Sequence, residues 1–140
     1  MIVLDTNVLY EIVKVDPDEA VLAWLTDHRR SELWTTAVSA AELAYGVALL
    51  PRGRRRESLS RAIAQLLGDG LGGRVLPFDR NAAALYGEIA VTRRRAGRPI
   101  STTDPQIAAI ARTRGAALVA TRDKGGFAGR GLDLVNPWTG

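Results

Sequence analysis

Ile2-Val3-Leu4-Asp5-Thr6-Asn7-Val8-Leu9 is the stretch on which the fold class turns. Ile2, Val3 and Leu4 form a short β-branched-rich run that reads as a buried strand ending at Asp5. From Thr6 to Val15 the apolar residues Val8, Leu9, Ile12 and Val13 fall at helical spacing. The alternation continues along the chain. Asp16-Pro17-Asp18-Glu19 is a helix start, with Asp16 as N-cap, proline at N1 and Glu19 at N3. Val21, Leu22, Trp24 and Leu25 supply the buried face of that helix. Leu33 to Thr36 reads as a second strand. Ser39-Ala40-Ala41-Glu42 is a capping-box pattern that opens a helix through Leu50, where Pro51 breaks it. Arg54 to Leu67 reads as a helix ended by Gly68-Asp69-Gly70.

Val75 to Phe78 is a third strand, whose Pro77 marks an end or an edge. Asp79 caps a helix through Arg95 that Gly97 closes. Arg98 to Ser101 is a turn, and Thr103 to Arg114 is a helix stopped by Gly115. Ala117 to Thr121 is a fourth strand, Gly125 and Gly126 form a loop, and Leu132 to Val135 ends the series as a short strand. Strands alternating with helices predict a three-layer α/β/α fold with a mostly parallel central sheet, as one domain over residues 1–140.

In such sheets, sites form beyond the C-terminal ends of the strands where strand order reverses. Asp5 ends the first strand and Asp123 follows the fourth, so the rule places them near one another. Glu42 and Asp104 lie in the first turns of helices that start on that side. Each acid also has a purely structural reading. Asp5 could cap the helix after it, Glu42 completes a capping box, Asp104 could be a helix-start acid beside Pro105, and Asp123 could be a turn residue. Convergence is what would make them a site. Packed carboxylates repel, and a divalent cation removes the conflict. With oxygen ligands, no cysteine and no well-placed histidine, Mg²⁺ or Mn²⁺ is expected rather than Zn²⁺. Such an ion can activate water against a phosphodiester.

Composition narrows the field. The chain has 140 residues, 46% of them hydrophobic and 24% charged, as in ordinary globular proteins. No apolar run approaches the ~20 residues of a membrane span, the start is unlike a signal peptide, and no cysteine is present. A cytoplasmic protein is the expectation. The net charge is +4, with residues 1–50 at −5 and residues 51–140 at +9, almost all of the positive charge arginine. That asymmetry fits a polyanionic partner, and equally an arginine-rich surface. The arginines of 52–56 and 93–98 could track an RNA backbone or cover solvated helix faces. His28, the single histidine, reads as a surface residue, so RNA cleavage by a histidine pair is excluded. No P-loop and no glycine-rich dinucleotide motif is present. A phosphatase with paired Asp-x-Asp after the first strand fails at Asn7. Trp24, Trp34, Tyr45 and Tyr86 read as core or interface aromatics.

Four segments together resemble the PIN-domain toxins of the VapC type. Met1-Ile2-Val3-Leu4-Asp5-Thr6-Asn7-Val8-Leu9 resembles their opening motif. Ser39-Ala40-Ala41-Glu42-Leu43-Ala44-Tyr45-Gly46 resembles the second, in the form of the FitB-like branch. Thr103-Asp104-Pro105-Gln106-Ile107-Ala108-Ala109-Ile110-Ala111 resembles the third, and Thr121-Arg122-Asp123-Lys124-Gly125-Gly126-Phe127 the fourth, where many relatives carry Asn in place of Asp123. The resemblance implies a Mg²⁺-dependent endoribonuclease whose acids, here Asp5, Glu42, Asp104 and Asp123, serve as catalytic residues and metal ligands. It also implies a cognate antitoxin, a homodimer and a toxin–antitoxin hetero-oligomer. Thr6, Asn7 and Thr121 are candidates to hydrogen-bond around the acids, and each could equally satisfy local backbone. The alternative is a degenerate fold of the same kind that only binds RNA or protein.

Overall fold

The computed structural model describes residues 1–97, 101–127 and 131–140. The turn expected over Arg98 to Ser101 falls, at 98–100, outside the described residues. Five strands form one sheet: β1 (Ile2–Leu4), β2 (Leu33–Thr36), β3 (Val75–Leu76), β4 (Leu118–Ala120) and β5 (Leu134–Val135). Their order is β3-β2-β1-β4-β5, and every pairing is parallel. Parallel neighbours need crossovers, which the helices supply. These are α1 (Thr6–Val13), α2 (Glu19–Thr26), α3 (Ala37–Ala48), α4 (Arg54–Gln65), α5 (Arg80–Arg95), α6 (Thr103–Thr113) and the single turn α7 (Lys124–Phe127). A π-turn, Leu66–Gly70, extends α4 to the glycines expected to end it.

Alternation along the central strand divides the core. Ile2 and Leu4 face one layer with Val8 and Leu9 of α1, Val21 of α2, Leu43 and Val47 of α3 and Ile63 of α4. Val3 faces the other with Ala82 and Ile89 of α5, the run Ile107 to Ala111 of α6, Val119 and Phe127. The three-layer expectation therefore holds, with the sheet wholly parallel and Pro77 just past an edge strand. Asp79 caps α5 by accepting from Ala82 N at 2.9 Å. Gly97 and Gly115 take the left-handed conformation that ends α5 and α6, at φ 69° and 67°.

Several boundaries differ from the sequence reading. The cap of α2 is Asp18, whose carboxylate accepts from Ala20 N at 2.8 Å, so the helix starts two residues later than Asp16 implied. Leu22 is 40% exposed rather than part of the buried face. Gly125 and Gly126 lie in α7 rather than in a loop. Trp24, Trp34 and Tyr86 pack partly buried against the core, whereas Tyr45 is 68% exposed and is no core residue. His28 packs against Trp24, the rings tilted 54° with centroids 4.5 Å apart.

One buried acid was not singled out from the sequence. Glu11 of α1 accepts from Lys14 Nζ (3.1 Å), Asp18 N (3.2 Å) and Trp138 Nε1 (3.1 Å), tying the α1–α2 connection and the C-terminal segment to one helix. Burial pushes its carboxyl up, but the hydrogen bonds from Lys14, Asp18 and Trp138 and the lysine's charge together hold it below the usual value. The stability this lends is present above the unfolded carboxyl's range and is lost as pH falls through the lowered native value. Glu11→Ala leaves the indole and the Asp18 amide unpartnered, and should cost about 3 kcal/mol in urea unfolding at neutral pH. The difference from wild type should shrink in acid.

Candidate functional site

The sheet order reverses between β1 and β4, and the acids gather at the C-terminal ends of those two strands. Asp5 leaves β1 as the N-cap of α1, with Oδ1 accepting from Thr6 N at 2.7 Å. Its Oδ2 accepts from Thr121 Oγ1, just after β4, at 2.7 Å. The capping reading holds for Asp5, and its second oxygen makes a longer-range contact. One oxygen caps while the other reaches across to the neighbouring strand's end.

Glu42 is where the structure changes the argument most. The cap of α3 is Thr36, whose hydroxyl accepts from Ser39 N at 3.1 Å, so the helix begins at Ala37 and Ser39 is buried inside its first turns. The Ser39–Glu42 capping box does not form, because the true cap precedes it by three residues. Glu42 is therefore not engaged at the helix end. It accepts instead from Thr6 Oγ1 at 2.7 Å, and Thr6 Oγ1 also lies 2.9 Å from Ser39 Oγ. One threonine beside Asp5 thereby holds Glu42 toward the β1 end.

Asp104 is the second residue of α6, its amide donating to Ser101 Oγ at 3.1 Å. Asp123 follows β4 directly. Its amide donates to Thr121 Oγ1 at 3.0 Å, and its Oδ1 accepts from Gly126 N at 3.1 Å. Gly126 shows how near Asp104 and Asp123 stand. A methyl group on its Cα would collide with Asp104 Oδ2 and come within 2.9 Å of Asp123 Oδ2. Two carboxylates from different elements thus close on one bare glycine. Thr121 joins the halves, since its hydroxyl donates to Asp5 and accepts from the Asp123 amide. Asn7 Oδ1 accepts from Arg122 N at 3.2 Å and ties the same segment to α1. Thr6 and Thr121 thus hydrogen-bond to the acids, whereas Asn7 satisfies the Arg122 backbone.

Exposure grades across the cluster. Asp5 is 4% exposed, Glu42 and Asp104 are half-buried, and Asp123 is exposed. Burial pushes the Asp5 carboxyl up to about 6, against hydrogen bonds from Thr121 and Thr6 that lower it, and the charges of Asp104 and Glu42 push the same way as burial. Burial is the main cause, and the two neighbouring carboxylates add to it. Beside the acids, a cleft of about 640 Å³ is lined by Thr6, Glu42, Tyr10, Tyr45, Phe78 and Gln106, among others. Among the described residues no three acidic, histidine or cysteine side chains form a ready-made metal cage. The donors present are all oxygen, and the glycine leaves a cradle that a methyl group would fill. These features fit a hard cation that retains part of its water shell.

The family model described as PIN domain matches residues 2–129. The chain is 42% identical to "VapC ribonuclease Y4jK" of Sinorhizobium fredii over 138 residues, covering 99% of this chain and 98% of that one. It is 38% identical to "Toxin FitB" of Neisseria gonorrhoeae, covering 99% of each. Among solved structures, the crystal structure of FitAcB from Neisseria gonorrhoeae superposes with a TM-score of 0.88 at 38% identity, covering 99% of both chains.

Proposed function

The chain belongs to the PIN-domain family, in the company of the VapC and FitB toxins, and from that membership we propose that it is a Mg²⁺-dependent endoribonuclease, the toxin of a toxin–antitoxin pair. The observation that carries the proposal is Asp5. A carboxylate buried at the sheet's switch point, with Asp104 and Glu42 pushing its proton affinity up, costs stability unless a cation balances it. A degenerate fold that only bound RNA would have no use for that arrangement. The names of the relatives point the same way. One is called a ribonuclease and another a toxin, and one solved structure is described as a member of the VapBC family of toxin–antitoxin systems. A cognate antitoxin, an RNA substrate and a homodimer within the complex follow for this chain as part of the proposal.

Asp5 and Asp104 would hold the cation, directly or through water, with Glu42 and Asp123 completing the acidic wall. Bound there, Mg²⁺ or Mn²⁺ supplies a water activated for attack and positive charge for the phosphoryl oxygens. The protein does the rest by position. Thr121 fixes the orientation of Asp5 and anchors the Asp123 amide, so these two acids move together. Thr6 occupies Glu42 Oε1, which leaves Oε2 to accept a proton from the attacking water. Asp123, the most open of the four, tunes the charge of the site.

The test is cleavage of end-labelled RNAs by purified protein. Products are expected with Mg²⁺ or Mn²⁺ and none in chelator. Wild-type protein that stays inert on varied RNAs with either metal, yet still binds them, would make this a binding module.

A further inference from the structure

Arg122 stands between Thr121 and Asp123, two members of the acid site, yet the chemistry above gives it no part. It is exposed, and its backbone amide is fixed to Asn7 Oδ1 at 3.2 Å. Its guanidinium lies over the Trp138 ring, 4.7 Å from the centroid. Trp138 is itself held. Its Nε1 donates to the buried Glu11 at 3.1 Å and its backbone N to Asn136 Oδ1 at 2.9 Å. A chain of contacts therefore runs from a buried carboxylate of α1, through an indole, to the guanidinium of the residue between Thr121 and Asp123.

A guanidinium stacked by its face keeps its N–H donors in the plane of its edge. Two of those donors match two oxygens of a phosphate. Among the described residues the Arg122 side chain makes no hydrogen bond or ion pair, so these donors are uncommitted. The stack has already restricted the side chain, so less conformational freedom is lost when it binds. A pocket of four carboxylates repels RNA, and an arginine on the residue between Thr121 and Asp123 adds positive charge to the same segment. Arg93 adds a second guanidinium at the same turn, donating to Gly125 O at 3.2 Å.

We propose that Arg122, held by Trp138, binds a phosphate of the RNA backbone beside the acid site. The inference rests on the nuclease reading and adds a substrate contact to it. The probe is a short fluorescein-labelled single-stranded RNA, with metal chelated so that binding is measured without cleavage, between about 50 and 200 mM salt. Arg122→Ala is expected to weaken binding roughly 3- to 10-fold and to reduce the slope of log affinity against log salt by about 0.7, the value for one lost phosphate contact on a single strand. Arg122→Lys should restore the slope but not the full affinity. Trp138→Leu should keep the slope and lose roughly 2- to 3-fold in affinity, because the charge stays and its restraint goes; the variant should also melt below wild type, since Glu11 loses the indole. An unchanged slope for Arg122→Ala overturns the inference. So does a loss of affinity confined to polyglutamate, which would assign the guanidinium to a carboxylate-bearing protein. If wild type cleaves RNA while Arg122→Ala binds it normally, this inference alone fails. If wild type neither binds nor cleaves RNA, the nuclease reading fails with it.

Discussion

Asp5→Asn is expected to slow RNA cleavage by roughly a thousandfold or more, and at the same time to make the metal-free protein more stable at neutral pH. The first effect follows from removing a charge aimed at the reacting centre, where the loss of a single preorganised group is felt on that scale. The second follows from the cost of burying that charge. The Asp5 carboxyl is pushed from an ordinary 3.8 to about 6, chiefly by burial. A carboxyl whose native value is raised binds its proton more tightly folded than unfolded. Its stability is therefore fully present below about pH 4 and lost as pH climbs through about 6, a loss of about 3 kcal/mol. Asparagine keeps the shape and the cap to Thr6 N and carries no charge to desolvate, so the loss does not occur; its Nδ2 cannot accept from Thr121 Oγ1, which offsets part of the gain. In chelator at pH 7 the variant should melt roughly 5 to 10 °C above wild type. Near pH 4 the two curves should meet. Added Mg²⁺ should raise the wild-type melting temperature and leave the variant unmoved, since a cation restores the balance that asparagine no longer needs. A variant that melts below wild type at every pH would mean that the carboxylate serves folding, and the case for a functional charge would fall.

The same residue shows how far the sequence alone could go. Periodicity and glycine punctuation were enough for the alternating class, because each strand is short, apolar and buried and each helix keeps its spacing. The switch-point rule then put Asp5 and Asp123 together, because strand order is a property of the whole sheet and β1 can neighbour β4 only if the crossovers go both ways. Local capping was less legible. Ser39-x-x-Glu42 satisfies the capping pattern, yet Thr36 takes the cap because β2 ends there and the chain turns at once into α3. Asp16 and Asp18 offer the same ambiguity two residues apart, and Asp18 wins. Tandem candidates of this kind are separated only by where the preceding element stops. Glu11 lay beyond reach for another reason. Two of its partners, Lys14 and the Asp18 amide, are local, but a glutamate on an otherwise apolar helix face carries no signal of a tryptophan 127 residues away.

Gly126 was read as a loop glycine, and its real constraint is the strongest remaining handle on the site. It lies in the turn α7, where alanine would ordinarily be welcome. The obstacle is the space in front of its Cα, which Asp104 Oδ2 and Asp123 Oδ2 occupy. A methyl group there must push the two carboxylate ends out of their present positions. Displacements of about 1 Å at a reacting centre cost on the order of a hundredfold in rate. Gly126→Ala is therefore expected to lower kcat/KM for RNA roughly 100-fold and to raise the Mg²⁺ concentration needed for half-maximal rate. The neighbouring glycine supplies the control. A methyl group on Gly125 would rest 3.5 Å from Asp123 Oδ1, an ordinary contact. Gly125→Ala shares the helix propensity change and the local sequence, so its rate should stay within about threefold of wild type. Both variants should melt close to wild type, because the strain falls on side chains at the rim rather than on the core. Equal activities for the two variants would show that the spacing of Asp104 and Asp123 does not matter, and the acids would have to work, if they work at all, without a shared ion between them.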